Sequence, residues 1–337
     1  MTKKILMAIL ALFLSASVVL VAGGRTEIRD TAQGVTKIGV AKLLSHPALD
    51  AAEQGMTDYL AGQGLNVSID YQNANGDVAT SASIAQKFKS ENMDIVVGIA
   101  TPTAQALANV FTTVPVVFAA VTDPVAASLV SSLDGDATSN VTGVTDSNPV
   151  KEQLELFIGL TGAKNVGIIY ASGEANSVVL LEAARLAAQE IGFTLVPASV
   201  SNSSEVKLAA QSIIDRVDAI YIPTDNTVAS AMAAVADVTS RAGKPLMGAD
   251  PSAVQGLDFL VSWGFNYYNI GIATGKVVEK IIQGTPAGSI PTVFLTDPAD
   301  FELWFNLDVA ARLGITVPRN LLDNAAVTVR DGQIIRK

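Results

Sequence analysis

From residue 35 onward the chain alternates two kinds of apolar pattern. Val35–Ala41 is an apolar run, and after it Leu49, Ala52, Met56, Tyr59 and Leu60 recur at the spacing of one helix face. Gly62 and Gly64 stop that helix, and Leu65–Asp70 alternates like a strand. A helix over 78–88, a strand over 95–99, a helix over 102–110 and a strand over 114–118 continue the rhythm. A stretch rich in Gly, Asp, Ser and Thr, Ser131–Asn148, interrupts it. The rhythm then restarts with a strand at 165–170 and a helix carrying Leu180, Ala183, Ala184, Ala187 and Ile191 on one face. The pattern predicts strands at 193–198, 218–222, 245–248 and 258–262. It predicts helices opening at Ser203-Ser204-Glu205, over 226–241 closed by Gly243, and over 267–283 closed by Gly284, before a Pro-rich tail with short strands. Strands that are β-branched and do not alternate are those of a parallel sheet covered on both faces. The fold class expected is therefore α/β, as two doubly wound parallel-sheet units.

Length agrees, since 337 residues exceed one compact core and suit two domains. With 49% hydrophobic and 16% charged residues the chain is globular. A net charge of −10 without any Lys/Arg-rich run argues against a nucleic-acid partner. The absence of Cys removes disulfides, thiol catalysis and thiolate metal sites. At the amino terminus Lys3 and Lys4 precede the apolar run Ile5–Ala22, which ends in small residues at Gly23-Gly24, so residues 1–24 read as an export signal and 25–34 as a linker. The alternative is a membrane anchor, for which 18 apolar residues just suffice. Val21-Ala22-Gly23 resembles the residues before a lipidated Cys, but Gly24 stands where that Cys would be, so lipidation is not expected. The expected location is periplasmic or at the extracytoplasmic membrane surface.

Ligands of such sheets bind beyond the carboxyl ends of the strands, and the polar clusters fall there. Ser45 and His46, the only histidine, follow the first strand. Thr101-Pro102-Thr103-Ala104 follows the strand at 95–99, with Thr101 as N-cap and the amides of Thr103 and Ala104 suited to a carboxylate or phosphate. Thr122 and Asp123 follow the strand at 114–118. Glu174, Ala175 and Asn176 lie beyond the strand at 165–170, in a turn with neither a GxGxxG nor a GxxxxGK[ST] pattern. Thr224, Asp225 and Asn226 crowd one strand-to-helix turn, where Thr224 or Asn226 can cap the helix and leave Asp225 to the cleft. Asp250 completes the set after 245–248. Each acid taken singly is an ordinary turn or cap residue. Four of them at strand ends in two units point to a ligand.

These residues resemble, nearly in order, the family of ABC transporter substrate-binding proteins of the tryptophan/tyrosine-uptake type. The stretches that carry the resemblance include HPALDAA (46–52), TPTAQALAN (101–109), PVVFAAVTDPV (115–125), NVTGVTD (140–146), SGEANSVV (172–179), DAIYIPTDNTV (218–228) and GFNYYNIG (264–271). The resemblance implies a type I periplasmic-binding-protein fold with a three-segment hinge. Its N-terminal lobe would be 35–146 plus 266–290 and its C-terminal lobe 147–265 plus 291–330. It implies a small ligand, most simply an aromatic amino acid, enclosed by lobe closure, with a permease and an ATPase as partners and no cofactor or metal. The ligand's ammonium would meet Asp225, Asp250, Asp123 or Glu174, in that order, and its carboxylate the amides of Thr103 and Ala104 with the hydroxyls of Thr101 and Thr103. Phe118, Trp263, Phe265 and Tyr267 either stack on an aromatic side chain or pack in the core. The sequence departs from the family at Ser45, where an acid is usual, and at Ala249-Asp250-Pro251. A hydrolase would need a nucleophile, a base and oxyanion donors in one place, and with no Cys, one His and no GxSxG elbow an enzyme is not expected. A ligand-sensing receptor domain is the remaining alternative.

Overall fold

The structure, a computed structural model, describes residues 34–337, so the expectations for 1–24 and for the linker up to residue 33 lie outside the described residues. Residues 35–337 form one compact unit built on two sheets. The first contains β1 (Thr36–Lys42), β2 (Val67–Asn73), β3 (Ile95–Ile99), β4 (Val116–Ala119) and β5 (Val141–Val144), all parallel, in the order β2-β1-β3-β4-β5. The helices α1 (Pro47–Gly62), α2 (Val78–Ser90) and α3 (Thr101–Val110) connect them. The β3 sequence IVVGI is buried along its whole length because helices cover both faces. On one face Leu49, Met56 and Leu60 of α1 pack with Ile38 and Val97, and on the other Ile84 and Phe88 of α2 and Leu107 of α3 pack with Val96 and Phe118.

The second sheet repeats this order. It contains β6 (Asn165–Ala171), β7 (Thr194–Val200), β8 (Ala219–Ile222), β9 (Leu246–Gly248) and β10 (Val261–Phe265), parallel in the order β7-β6-β8-β9-β10. Three further strands widen it: β11 (Phe301–Asn306) antiparallel to β10, β12 (Val327–Arg330) parallel to β11, and β13 (Gln333–Arg336) antiparallel to β12. Its helices include α4 (Val150–Thr161), α5 (Ala175–Ile191), α6 (Val206–Ile213), α7 (Asn226–Ala229) and α8 (Met232–Arg241). The chain crosses between the sheets three times: from β5 to α4, from β10 into α9 (Tyr267–Ile282), and from Val293, which bridges Val144, on to β11. Together these features make the type I periplasmic-binding-protein fold, two lobes on a three-segment hinge.

A buried side chain ties the first crossing to strand β10. Gln153 of α4 donates to the Trp263 carbonyl at 2.7 Å and to Asn148 Oδ1 at 3.2 Å, and accepts from the Tyr221 hydroxyl at 2.6 Å.

The structure differs from the sequence expectations in four places. β5 lies inside the polar stretch 131–148, where Val-Thr-Gly-Val is too short to register as an apolar run. The amphipathic helix α4 was not anticipated. The strand expected at 258–262 begins at Val261, because Phe259 turns away into the cluster with Val254. The single helix expected over 226–241 is two helices, since Ala231 leaves helical geometry and Ser230 Oγ donates to the Thr227 carbonyl at 2.7 Å.

Helix α9 belongs structurally with the first sheet, and glycines bring it close to α1. A Cβ on Gly55 would stand 2.1 Å from the Tyr268 carbonyl oxygen, and one on Gly271 would stand 2.1 Å from that of Ala52. Backbone meets backbone there, so no side-chain rotation relieves a clash. Gly271→Ala is expected to destabilise the protein by roughly 1–3 kcal/mol, read as a fall of several degrees in Tm. An unchanged Tm would show that the two helices can separate freely.

Candidate functional site: a buried acidic cavity between the lobes

The carboxyl edges of the two sheets face each other across a narrow cavity of about 10 Å3, room for about one water. The first lobe contributes His46 and Leu49 at the start of α1, Ala120 and Thr122 beyond β4, Asp146 beyond β5 and Tyr267 opening α9. The second contributes Asn176 opening α5, then Thr224, Asp225, Asn226 and Ala229 after β8, and Asp250 after β9. Ala100 and Ala120, at the ends of the central strands β3 and β4, hold φ angles of 79° and 54°. A left-handed residue that is not glycine costs on the order of 1–3 kcal/mol, and such strain gathers at ligand sites.

The polar groups form a layered network. In the first lobe Asp146 accepts from the Tyr267 hydroxyl at 2.7 Å and from Thr122 Oγ1 at 3.1 Å. In the second, Asp225 accepts from the Val228 amide at 2.8 Å and from the Ala171 amide at 2.6 Å. Glu174 accepts from Asn226 Nδ2 at 2.5 Å and from the Thr227 hydroxyl and amide at 2.6 and 3.1 Å. Asp250 Oδ1 accepts from the Ser252 amide and hydroxyl at 2.9 and 2.6 Å. Across the cleft His46 Nε2 lies 3.4 Å from Asn226 Oδ1.

Asp146, Glu174, Asp225 and Asp250 are all buried, and no Lys or Arg lines the cavity. Burial, reinforced by the Glu174 charge, pushes Asp225 up to about 7. Burial likewise raises Asp146 and Asp250, the latter opposed by His46, and raises the Tyr267 hydroxyl. His46 is lowered by its burial, with Asp250 pulling the other way. Three polar atoms on the lining, His46 Nδ1, Asn176 Oδ1 and Thr224 Oγ1, are buried without a hydrogen-bond partner. Among the described residues no group of three or more His, Cys, Asp or Glu is placed to hold a metal ion.

The structure brings His46, Thr122, Asn176, Asp225, Asn226, Asp250 and Tyr267 together on this lining. Glu174 stands just behind, bonded to Asn226. The others lie elsewhere. Ser45 is exposed and accepts from Asn73 Nδ2. Asp123 caps its own turn through the Val125 and Ala126 amides. Ala175 is the first residue of α5 and does not reach the lining. Phe118 packs in the core on the α2–α3 side of the first sheet, and Phe265 stacks on Phe301 with ring centroids 4.3 Å apart. Trp263 packs against the core of the second lobe.

Two capping assignments also change. The N-cap of α3 is Ala100, not Thr101. The Ala104 amide is already bonded to the Ala100 carbonyl, and Thr103 Oγ1 donates to the carbonyls of Ile99 and Ala100, so these groups are spent within the turn, while Thr101 Oγ1 is buried without a partner. Asp225, rather than Thr224 or Asn226, caps α7, because it holds the last extended backbone position before the helix and its carboxylate accepts the third amide. Sequence reasoning missed Leu49, Ala120, Asp146 and Ala229, and read Thr224 only as a cap. Asp146 carried a signal, standing at the end of a strand hidden in the polar stretch.

Comparison with known proteins agrees with this architecture. The model of a family described as ABC transporter substrate binding protein matches residues 37–329. A tyrosine-binding protein of Clostridioides difficile (strain R20291) is 35% identical over 265 residues, 77% of this chain and 76% of that one. A crystal structure of an ABC domain in complex with L-Trp from Streptococcus pneumonia is 34% identical, covers 88% of this chain and 100% of its own, and superposes with a TM-score of 0.83. A ligand-free, open substrate-binding protein with adhesive properties from Clostridium difficile, at 35% identity over 88% of this chain and 99% of its own, gives 0.66. At nearly equal identity the chain departs further from the open form, as the His46–Asn226 contact across the cleft requires. With its fold, its interlobe cavity and a family match over nearly all the described residues, the chain belongs to the ABC transporter substrate-binding protein family.

Proposed function

We propose that this chain is the extracytoplasmic receptor of an ABC importer, that it encloses an α-amino acid with an aromatic side chain in the interlobe cavity, and that it presents the closed form to permease and ATPase subunits. The observation that carries the ligand class is the set of four buried carboxylates with no Lys or Arg on the cavity lining. Buried charge of one sign calls for a partner of the other, and an ammonium supplies it. The names of the relatives, one tyrosine-binding and one in complex with L-Trp, support an aromatic side chain. The cavity lining is polar, with Leu49, Ala120 and Ala229 as its apolar patches, and the lobes must part to admit the ligand. Its one histidine contacts an amide oxygen and no nucleophile, which favours binding over catalysis.

L-tyrosine or L-tryptophan at about 100 times its Kd is expected to stabilise the protein by roughly 2.7 kcal/mol. A thermal-shift panel with the remaining amino acids, sugars and nucleosides checks this. A shift with one of those other classes and none with aromatic amino acids would sink the assignment.

The acids give the site a pH dependence. Asp225 binds its proton more tightly folded than unfolded, so its contribution to stability is complete below its unfolded pKa of 3.8 and is lost as pH climbs through about 7. Asp146 and Asp250 act in the same direction, whereas His46, lowered by burial, acts against them. The ligand-free protein should therefore lose Tm relative to its Asp225→Asn variant as pH rises from about 4 to about 7. A bound ammonium favours the ionised acids, so affinity should rise over the same interval, by up to about tenfold per pH unit for one linked proton. Calorimetric titrations across that range that return one constant affinity would contradict it.

A further inference from the structure

A groove of about 470 Å3 lies beside the hinge, outside the acidic cavity. Its first-lobe wall is the turn at Pro124 together with Leu133. Its second-lobe wall is the face of α5 that carries Val179, Ala183 and Ala187, residues spaced four apart along the helix. Each wall is firmly built. Asp123 caps its own turn through the Val125 and Ala126 amides, and the Leu133 carbonyl accepts from the Thr292 amide at 2.9 Å. Leu180 and Ala187 of α5 share a core cluster with Val150 and Leu154 of α4, and Lys151 of α4 pairs with Glu190 of α5. The floor is the first crossing, and there the side chains alternate. Thr145 and Ser147 line the groove, whereas Asp146 between them lines the cavity. An extended segment sends successive side chains to opposite sides, so groove and cavity flank this crossing on opposite sides.

A rotation about the crossing that parts the lobes at the cavity therefore brings the walls of the groove together. The groove is wide when the cavity is shut, as it is with His46 3.4 Å from Asn226. Building on the lobe-closure reading above, we infer that the groove is the clearance the lobes need in order to open, and that Ala183, a small residue on its second-lobe wall, sets how readily they do so. Ala183 is not part of the cavity lining, so it governs affinity through the open–closed equilibrium alone. A larger side chain at this position has room in the closed form and meets the first-lobe wall as the cleft opens, which penalises the open form only. Apparent affinity follows the closed fraction. The small side chain thus gives up affinity to preserve the opening through which a receptor hands over its ligand.

The test uses the full chain. Ala183→Trp and Ala183→Leu are compared with wild type and with Val178→Trp, which puts the same bulk on an exposed position of α5 outside the groove lining. Affinity and dissociation rate are measured with L-tryptophan and L-tyrosine, and small-angle X-ray scattering gives the radius of gyration without ligand. Ala183→Trp should bind about tenfold more tightly, the gain available when the ligand-free protein is ~10% closed, and should release the ligand about tenfold more slowly. Ala183→Leu should fall between it and wild type, and Val178→Trp should match wild type. Without ligand, Ala183→Trp should be more compact than wild type, shifted toward the radius of the closed structure. Equal affinity and equal radius in wild type and Ala183→Trp overturn the inference. So do weaker binding by folded Ala183→Trp, equal tightening by Val178→Trp, or a ligand-free wild type already as compact as the closed structure. If wild type binds neither amino acid, the ligand assignment fails and the ligand-free radii alone decide the role of the groove. Melting curves establish that each variant folds, and should Ala183→Trp not fold, Ala183→Leu decides by the same criteria.

Discussion

Negative charge enclosed between two lobes governs this molecule. Removing a carboxylate from water is expensive unless hydrogen bonds or an opposite charge replace the lost hydration. Four are removed at the cleft, and the chain replaces that hydration with neutral donors alone: backbone amides for Asp225, hydroxyls for Asp146, an amide and hydroxyls for Glu174 and Asp250. Neutral donors reduce the cost without cancelling the charge, which is why burial still raises the pKa of Asp146, Asp225 and Asp250. The closed arrangement is thus complementary to a cation, and its own side chains bring none. The sheet orders, the crossings and the strained turns at Ala100 and Ala120 all serve to bring those acids face to face.

The repeated strand order explains how two different sequences produce one site. In each sheet the chain winds outward from a central pair of strands, and the loops at the carboxyl edge converge where the winding reverses. Lobe one uses that edge for His46, Thr122 and Asp146, lobe two for Asn176, Thr224, Asp225 and Asp250. The β11–β13 extension belongs to the second sheet and lies away from this edge, so it enlarges the lobe without entering the cavity.

Much of the fold was legible because buried parallel strands announce themselves as β-branched runs, and β3 was recovered to the residue. β5 was not, since its burial comes from neighbours far along the chain rather than from its own four residues. The location of the site was legible through the strand-edge rule, and seven of the sixteen candidate residues reach the lining. The roles inside it were less so. Asp225 and Asp250 look alike in sequence, each an acid beyond a short strand, and only the choice of which oxygen meets which amide distinguishes them. The aromatics failed for a related reason: proximity in sequence to an edge says nothing about which sheet face a side chain takes, and Phe118 takes the one covered by α2 and α3.

Gln153 gives the hinge a property that the three crossings alone would lack. Its carboxamide grips the Trp263 carbonyl in the middle of β10 and the side chain of Asn148, while the Tyr221 hydroxyl donates to it. The first connecting segment is thereby fixed to β10, the strand that runs on into α9 and so into the second crossing. Strain on the first crossing therefore passes through one carboxamide to the strand that feeds the second, which couples two of the three hinge segments from within the second lobe.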